Sequence, residues 1–154
     1  MKIITAQDLK TQFNIAIVVS RFNEEITHKL YEGAITRLKE LEFSEDQVTS
    51  IFVPGAVEIP LVAKRLAKKN TYEAIVCLGA VIRGETSHYD YVCEQVSRGC
   101  QQVSLKENIP VIFGVLTTEN ETQALARCGG AHGHKGRDAI DAAFEMVSIF
   151  RQIG

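Results

Sequence analysis

The chain has 154 residues, a formal net charge of -2 and a pI near 6.1. That length suits one domain able to bury roughly 70% of its unfolded surface without a metal or disulfide staple, and the absence of a basic field, with aromatics at only 7%, argues against a nucleic-acid partner. The four cysteines show no CxxC pairing, the N-terminus MKIITAQDLK has no apolar core, and the run Ile15 to Val19 is too short to span a bilayer, so reduced thiols, no membrane contact and a cytoplasmic setting are expected.

Residues 1–12 read as a short arm without strong periodicity. Phe13 to Ser20 is an unbroken, β-branched apolar run, the pattern of a central strand covered on both faces. Asn23 stands where a cap belongs, Glu24 and Glu25 suit a positive first turn, and Ile26, Leu30, Ala34, Leu38 and Leu41 repeat at helical spacing. Val48 to Val53 reads as the second strand, ended by Pro54-Gly55. The helix after it buries Ile59, Val62, Ala63 and Leu66 and ends in the solvated cations Lys64, Arg65, Lys68 and Lys69.

Ala74 to Leu78 reads as a buried third strand that empties into a turn, GAVIRGETSHYDYV (Gly79 to Val92), with a helix after Asp90 carrying Val92, Val96, Cys100 and Val103. The turn holds backbone N–H groups, Thr86, Ser87 and His88 close to a helix start. Gly84-Glu85-Thr86-Ser87 is therefore a candidate anion cradle, and His88 beside it is able to exchange protons near neutral pH. Strand-to-helix junctions contain such residues anyway, and a Glu85 side chain facing the anion would repel it.

Ile109 to Leu116 reads as the fourth strand. A short helix with Ala124 and Arg127, a flexible glycine-rich link from Gly129 to Gly136, and an amphipathic helix with Ile140, Ala143, Phe144, Val147 and Phe150 complete the chain. The stretch CGGAHGHKGR contains Cys128, His132 and His134, but their spacing lacks the paired pattern of a zinc site.

This alternation calls for a parallel sheet with helices on both faces, whose ligands bind beyond the carboxyl ends of the strands. Functional residues are then expected at Arg21 to Asn23, Pro54 to Glu58, Gly79 to His88, and Phe113-Gly114. The alternatives lack their motifs: there is no GxGxxG, no GxxxxGK[ST], no flavodoxin phosphate loop in SRFNEE, and no receiver aspartate at Gly79-Ala80.

SRFN after the first strand, PGAVEIP after the second, GAVIRGETSHYDYV after the third and FGVLTTEN around the end of the fourth together resemble the lumazine synthase family, over essentially the whole chain. The resemblance implies a three-layer α/β/α sandwich with a four-stranded parallel sheet of flavodoxin-like topology. It implies condensation of 5-amino-6-(D-ribitylamino)uracil with 3,4-dihydroxy-2-butanone 4-phosphate, giving 6,7-dimethyl-8-ribityllumazine, phosphate and water, without organic cofactor or metal. It also implies homo-oligomers: pentamers, and a 60-subunit icosahedral shell that in turn suggests riboflavin synthase as an enclosed partner. The arm, residues 1–12, is expected to pack on a neighbouring subunit.

Carried onto matching positions, the resemblance implies that Phe22 stacks on the pyrimidine and that Ala56, Val57, Ala80, Val81 and Ile82 read the uracil edge through backbone groups. Glu58 is implied to hold ribityl hydroxyls, Phe113 to face the pyrimidine from the next subunit, and Lys135 to lie near the ribityl chain. Phosphate is assigned to the Gly84-Glu85-Thr86 backbone, the Thr86 hydroxyl and the planar fork of Arg127, and proton relay to His88. Each residue has a plainer role: a core aromatic for Phe22, a helix-terminal charge for Glu58, solvated cations for Arg127 and Lys135, and a structural histidine for His88. A pentameric riboflavin synthase, which needs no phosphate cradle, and a non-catalytic lumazine- or flavin-binding or shell protein are the competing readings.

Overall fold

The structure, a computed structural model, describes residues 1–7 and 13–154. Two strands, Ile15–Ser20 (β1) and Ala74–Ile82 (β3), are buried along their whole length save the last residue of β3, which only a central position with helices on both faces allows. They pair in parallel. Val48–Val53 (β2) flanks β1 and Val111–Thr118 (β4) flanks β3, so the sheet runs β2-β1-β3-β4, all parallel. Between them run helices Glu24–Glu40 (α1), Ile59–Ala67 (α2) and His88–Glu107 (α3). After β4 come Glu121–Ala126 (α4), a hairpin of Cys128–Gly130 (β5) and Gly133–His134 (β6), and Lys135–Ile153 (α5). The result is a three-layer α/β/α sandwich of flavodoxin-like topology.

Side chains alternate across the central strands. Ile15, Ile17 and Val19 with Val76 and Leu78 pack under Ile26, Leu30 and Leu38 of α1 and Ile140 and Val147 of α5. Ala16, Val18, Ile75 and Cys77 pack under α2 and α3, against Ile59, Leu66, Val96 and Cys100. Each fully buried Ile or Leu contributes about 1.5–3 kcal/mol. No helix among the described residues is long and apolar enough to cross a membrane.

Several boundaries depart from the sequence expectations. β1 starts at Ile15, because Phe13 turns aside to meet Phe43 edge-on at 5.0 Å. β3 does not stop at Leu78: it runs to Ile82, since β4 offers partners from Val115 to Thr118, and Gly79 is strand rather than turn. A Cβ at Gly79 would come within 2.8 Å of the Ser20 hydroxyl, so the glycine serves close packing. α3 starts at His88, not after Asp90, and the Thr86 hydroxyl accepts from the His88 amide at 3.3 Å. β4 starts at Val111, because Pro110 has no N–H to donate, and this puts Phe113 early in the strand instead of near its end. α4 ends at Ala126, with Arg127 as its C-cap. The glycine-rich link is an ordered hairpin, with Gly129 (φ +107°) and Gly133 (φ +78°) making its bends. Of the arm, residues 8–12 lie outside the described residues. Thr5 and Gln7 bond to Gln152 and Ser148 of their own α5.

Asn23 occupies the N-cap of α1, but its side chain does not cap the helix. It adopts φ 60° and donates from Nδ2 to the Ala80 carbonyl at 2.9 Å, strapping the β1–α1 turn to the end of β3. Asn23→Gly keeps the left-handed backbone and loses only the strap. Asn23→Ala loses both, and should be less stable than Asn23→Gly by about 1 kcal/mol in urea denaturation.

Arg37, Glu40, Arg137 and Asp141 latch α1 to α5. Arg137 grips Glu40 through both nitrogens, at 3.0 and 2.7 Å, and Arg37 bonds Asp141 at 2.7 Å. These guanidiniums, Arg137 first, hold the Glu40 carboxyl down at about 2, from an ordinary 4.5. A depressed carboxylate stabilises fully above its unfolded value, and that contribution fades as pH falls through the folded one. The stability gap between the native protein and Glu40→Gln should therefore be open at pH 6 and narrow progressively from pH 4.5 toward 2 in urea titrations.

Candidate active site

The direction of connection reverses between β1 and β3: β1 leads outward to β2, and β3 leads to β4 on the other side. At such a switch point the loops leave in opposite directions and open a crevice above the strand ends. A cleft of about 500 Å³ lies there, lined by Phe22 and Asn23 after β1, Pro54 to Glu58 after β2, Ala80 to Ile82 at the end of β3, and Gly84, Thr86, His88, Tyr89 and Val92 around the start of α3.

Each wall has a local cause. Phe22 is 71% exposed, because the Asn23 strap and the bond from its own amide to the Pro54 carbonyl at 3.0 Å turn the β1–α1 corner with the ring outward. The plainer role of core aromatic is thereby rejected. Ala56 to Glu58 form a single 3-10 turn, and Glu58 is both the N-cap residue of α2 and an exposed carboxylate on the rim. β3 runs on past the end of β1 while still paired with β4, so Ala80, Val81 and Ile82 bring backbone groups to the floor. His88 is the first residue of α3 and is exposed toward the cleft, four residues beyond Gly84. Glu85 does not line the cleft, which is consistent with an outward side chain at a backbone cradle.

Phe113, Arg127 and Lys135 do not join this cleft. They line a different cavity of about 470 Å³, together with Val115 to Thr118, His132 and Asp138. Arg127 is half-buried, with Nη1 donating to the Gln123 carbonyl at 2.9 Å, and its own carbonyl accepts from the Lys135 amide at 2.8 Å. The expected residues thus fall into two groups: an aromatic, backbone and histidine set, and a cationic set.

Sequence reasoning passed over Asn23 as a floor tie, Tyr89 as a wall, and Arg83. Arg83 Nε donates to Glu119 at 2.6 Å, Nη1 to Asp90 at 3.3 Å, and the guanidinium lies 4.2 Å from the centre of the Tyr89 ring. It braces the first turn of α3 against the β4–α4 loop. The adjacent His88-Tyr89-Asp90 and the Arg83 five residues earlier were the available signal, but the third partner of Arg83, Glu119, is remote in sequence. No cysteine lines the cleft. The hydrogen bond between the Cys77 and Cys100 thiols pushes Cys77 up, together with its burial, and draws Cys100 down, while burial pushes up Cys93, close to Tyr89, and Cys128. Among the described residues no three His, Cys, Asp or Glu side chains converge to hold a metal ion. His134 is instead a helix cap, with Nδ1 accepting from Gly136.

Chemically, the main cleft can take a flat ring against Phe22, offer fixed amide donors and acceptors to its edge, hold an anion at Gly84 to Thr86, and move a proton at His88. A family model described as 6,7-dimethyl-8-ribityllumazine synthase matches residues 12–151. Three proteins of that name, from Coxiella burnetii strains Dugway 5J108-111, CbuG_Q212 and RSA 493 / Nine Mile phase I, are 58%, 57% and 57% identical to it over 144 residues, covering 94% of this chain and 95% of each relative. With a matched span that includes every wall of the cleft and the cationic cavity, the chain belongs to the 6,7-dimethyl-8-ribityllumazine synthase family.

Proposed function

We propose that the chain makes 6,7-dimethyl-8-ribityllumazine, the penultimate step of riboflavin biosynthesis, by condensing 5-amino-6-(D-ribitylamino)uracil with 3,4-dihydroxy-2-butanone 4-phosphate in a site shared between two subunits. The observation that carries this reading is the cleft at the β1/β3 switch point, which unites Phe22, the Ala80 to Ile82 backbone, Thr86 and His88 while Arg127 and Lys135 lie in another cavity. Either set alone is half of what two substrates need.

In this reading the pyrimidine stacks on Phe22, its edge is read by backbone groups of Ala56, Val57, Ala80, Val81 and Ile82, and its ribityl hydroxyls meet Glu58. Phosphate rests on the backbone of Gly84, Glu85 and Thr86 and the Thr86 hydroxyl, with Arg127 of the neighbour closing over it and Phe113 and Lys135 of that neighbour completing the ribitylaminouracil pocket. The 5-amino group attacks the ketone, water leaves to give an imine, phosphate departs by elimination, and the ribitylamino nitrogen closes the ring with loss of a second water. Every step moves a proton, and His88 beside the phosphate is the relay. The protein otherwise holds two molecules in register and dry, which removes much of the entropic barrier.

Sites shared in this way close into a pentamer of subunits, and twelve pentamers into a 60-subunit shell in the cytoplasm, with riboflavin synthase as an enclosed partner. Residues 1–154 act as one domain, and the arm, residues 1–12, covers a neighbour. β2 is an open sheet edge, and Met1 and Ile3 are exposed apolar side chains that association would bury.

Purified protein incubated with both substrates should develop lumazine fluorescence, and none at any pH overturns the assignment. His88→Ala should lower kcat by roughly tenfold or more with little change in KM, whereas Arg127→Ala should raise KM for the butanone phosphate and leave pyrimidine binding intact. Equal numbers of His88→Ala and Arg127→Ala subunits, unfolded and refolded together, should recover activity at about a quarter of their interfaces, where two intact halves meet. Recovery no greater than the mean of the two variants, with mixing verified by mass, would put the whole site in one chain.

A further inference from the structure

His134 stands where three elements meet: it ends β6, caps α5, and lays its ring over Gly33 of α1. Its Nδ1 accepts from the amides of Gly136 at 3.2 Å and Arg137 at 3.4 Å. A nitrogen that accepts carries no proton, so the capping ring is neutral, and Nε2 is left to donate to the backbone of Lys29, with which the ring also hydrogen-bonds. The fit admits nothing more. A Cβ on Gly33 would fall within the imidazole, and one on Gly136 would meet the Leu30 carbonyl. Two glycines bring α1 and α5 into contact, and one imidazole joins them.

Both cations of the second cavity hang from this joint. Arg127 precedes the hairpin, Lys135 follows His134, and the Lys135 amide donates to the Arg127 carbonyl at 2.8 Å. The direction in which each side chain leaves the backbone is therefore set by how His134 seats the hairpin on the first turn of α5.

We propose that His134 is a positioning residue that keeps Arg127 and Lys135 aimed at the substrates only while its ring is neutral, so that this chain weakens its own hold on the butanone phosphate as pH falls below neutrality. The inference rests on the substrate-facing reading of Arg127 and Lys135. A proton on Nδ1 would confront two N–H donors, orphan the first amides of α5, and put a cation at the positive end of a helix. The charged groups facing the ring are Arg137, which opposes a further cation, and Asp138, which favours one. Across the hairpin stands Cys128, which itself feels Lys29 and Glu25 of α1. Burial first, then Arg137, holds His134 below its ordinary 6.5. A histidine lowered in the folded state stabilises above the unfolded value, and that stabilisation is lost as pH falls through the folded one. Glu40, the other α1–α5 latch, titrates at about 2 and stays ionised throughout this window.

The test measures KM for the butanone phosphate and kcat from pH 8 to 5 in the native protein, His134→Asn and His134→Ala, with deuterium exchange of residues 134–140 read by mass spectrometry and corrected for intrinsic rates. Asparagine caps a helix without titrating. The native KM should rise as pH falls below 6.5 toward 5 by roughly fivefold more than that of His134→Asn, the size expected for loss of one cap. His134→Ala should be high throughout. Whatever is common to the three proteins cancels in the comparison. The native amides of Gly136 and Arg137 should lose protection by pH 5 and those of His134→Asn should not. An acid rise in KM shared equally by His134→Asn, or native amides that keep their protection down to pH 5, overturns the proposal. The exchange series needs no turnover, so a failure of the lumazine assay would sink the proposed function and leave the joint to be decided by its amides.

Discussion

The pairing of β1 with β3 is the constraint on which the rest depends. Both strands are buried on both faces, and along their paired length their backbone groups bond to each other and to the outer strands. From this pair the chain must leave in opposite directions, and the crevice above the strand ends follows from topology before any catalytic residue is considered. Gly79 keeps β3 close enough to Ser20 to hold the pair together at the level of the cleft floor. The Asn23 bond to the Ala80 carbonyl then turns Phe22 away from the core and into the opening.

A chain that builds a cleft this way cannot also deliver its last third to it. β4 lies beyond β3, so the α4 and hairpin residues that follow it emerge on the outer side of the sheet edge, and Arg127 and Lys135 line a cavity of their own. Charge placement respects the division. The Gly84 to Thr86 turn offers backbone donors and no cation, while the hairpin offers two cations around an ordered backbone. Arg83, anchored to Glu119, Asp90 and Tyr89, has its charge matched by the two carboxylates and stiffens the turn rather than serving as a free cation.

The two helices on the far face, α1 and α5, are joined by the Glu40 latch and the His134 joint. Both are polar, both have partners far apart in sequence, and they titrate in separate pH ranges because one is a carboxylate among guanidiniums and the other an imidazole among amides.

Hydrophobic period and strand-end position were legible in the residues alone. Val48–Val53 is the second strand as its residues predict, the α1 stripe of Ile26, Leu30, Ala34 and Leu38 is buried, and the walls from Phe22 to His88 meet in one cleft, because in a parallel sheet every loop of that kind is sent to the same end. Local signals failed where a distant partner outweighed them. Gly79 reads as a turn and is strand, since β4 is there to pair with it. Asn23 reads as a cap, and its side chain reaches Ala80 across 57 residues instead. The glycines around His134 read as a loose link, yet they are close contacts to α1, visible only once α1 and α5 lie side by side. What the chain determines by itself is the period of each element and the end of the sheet where chemistry gathers. Which residues share a cavity is decided by the order of strands, a property of nonlocal pairing that no local pattern encodes.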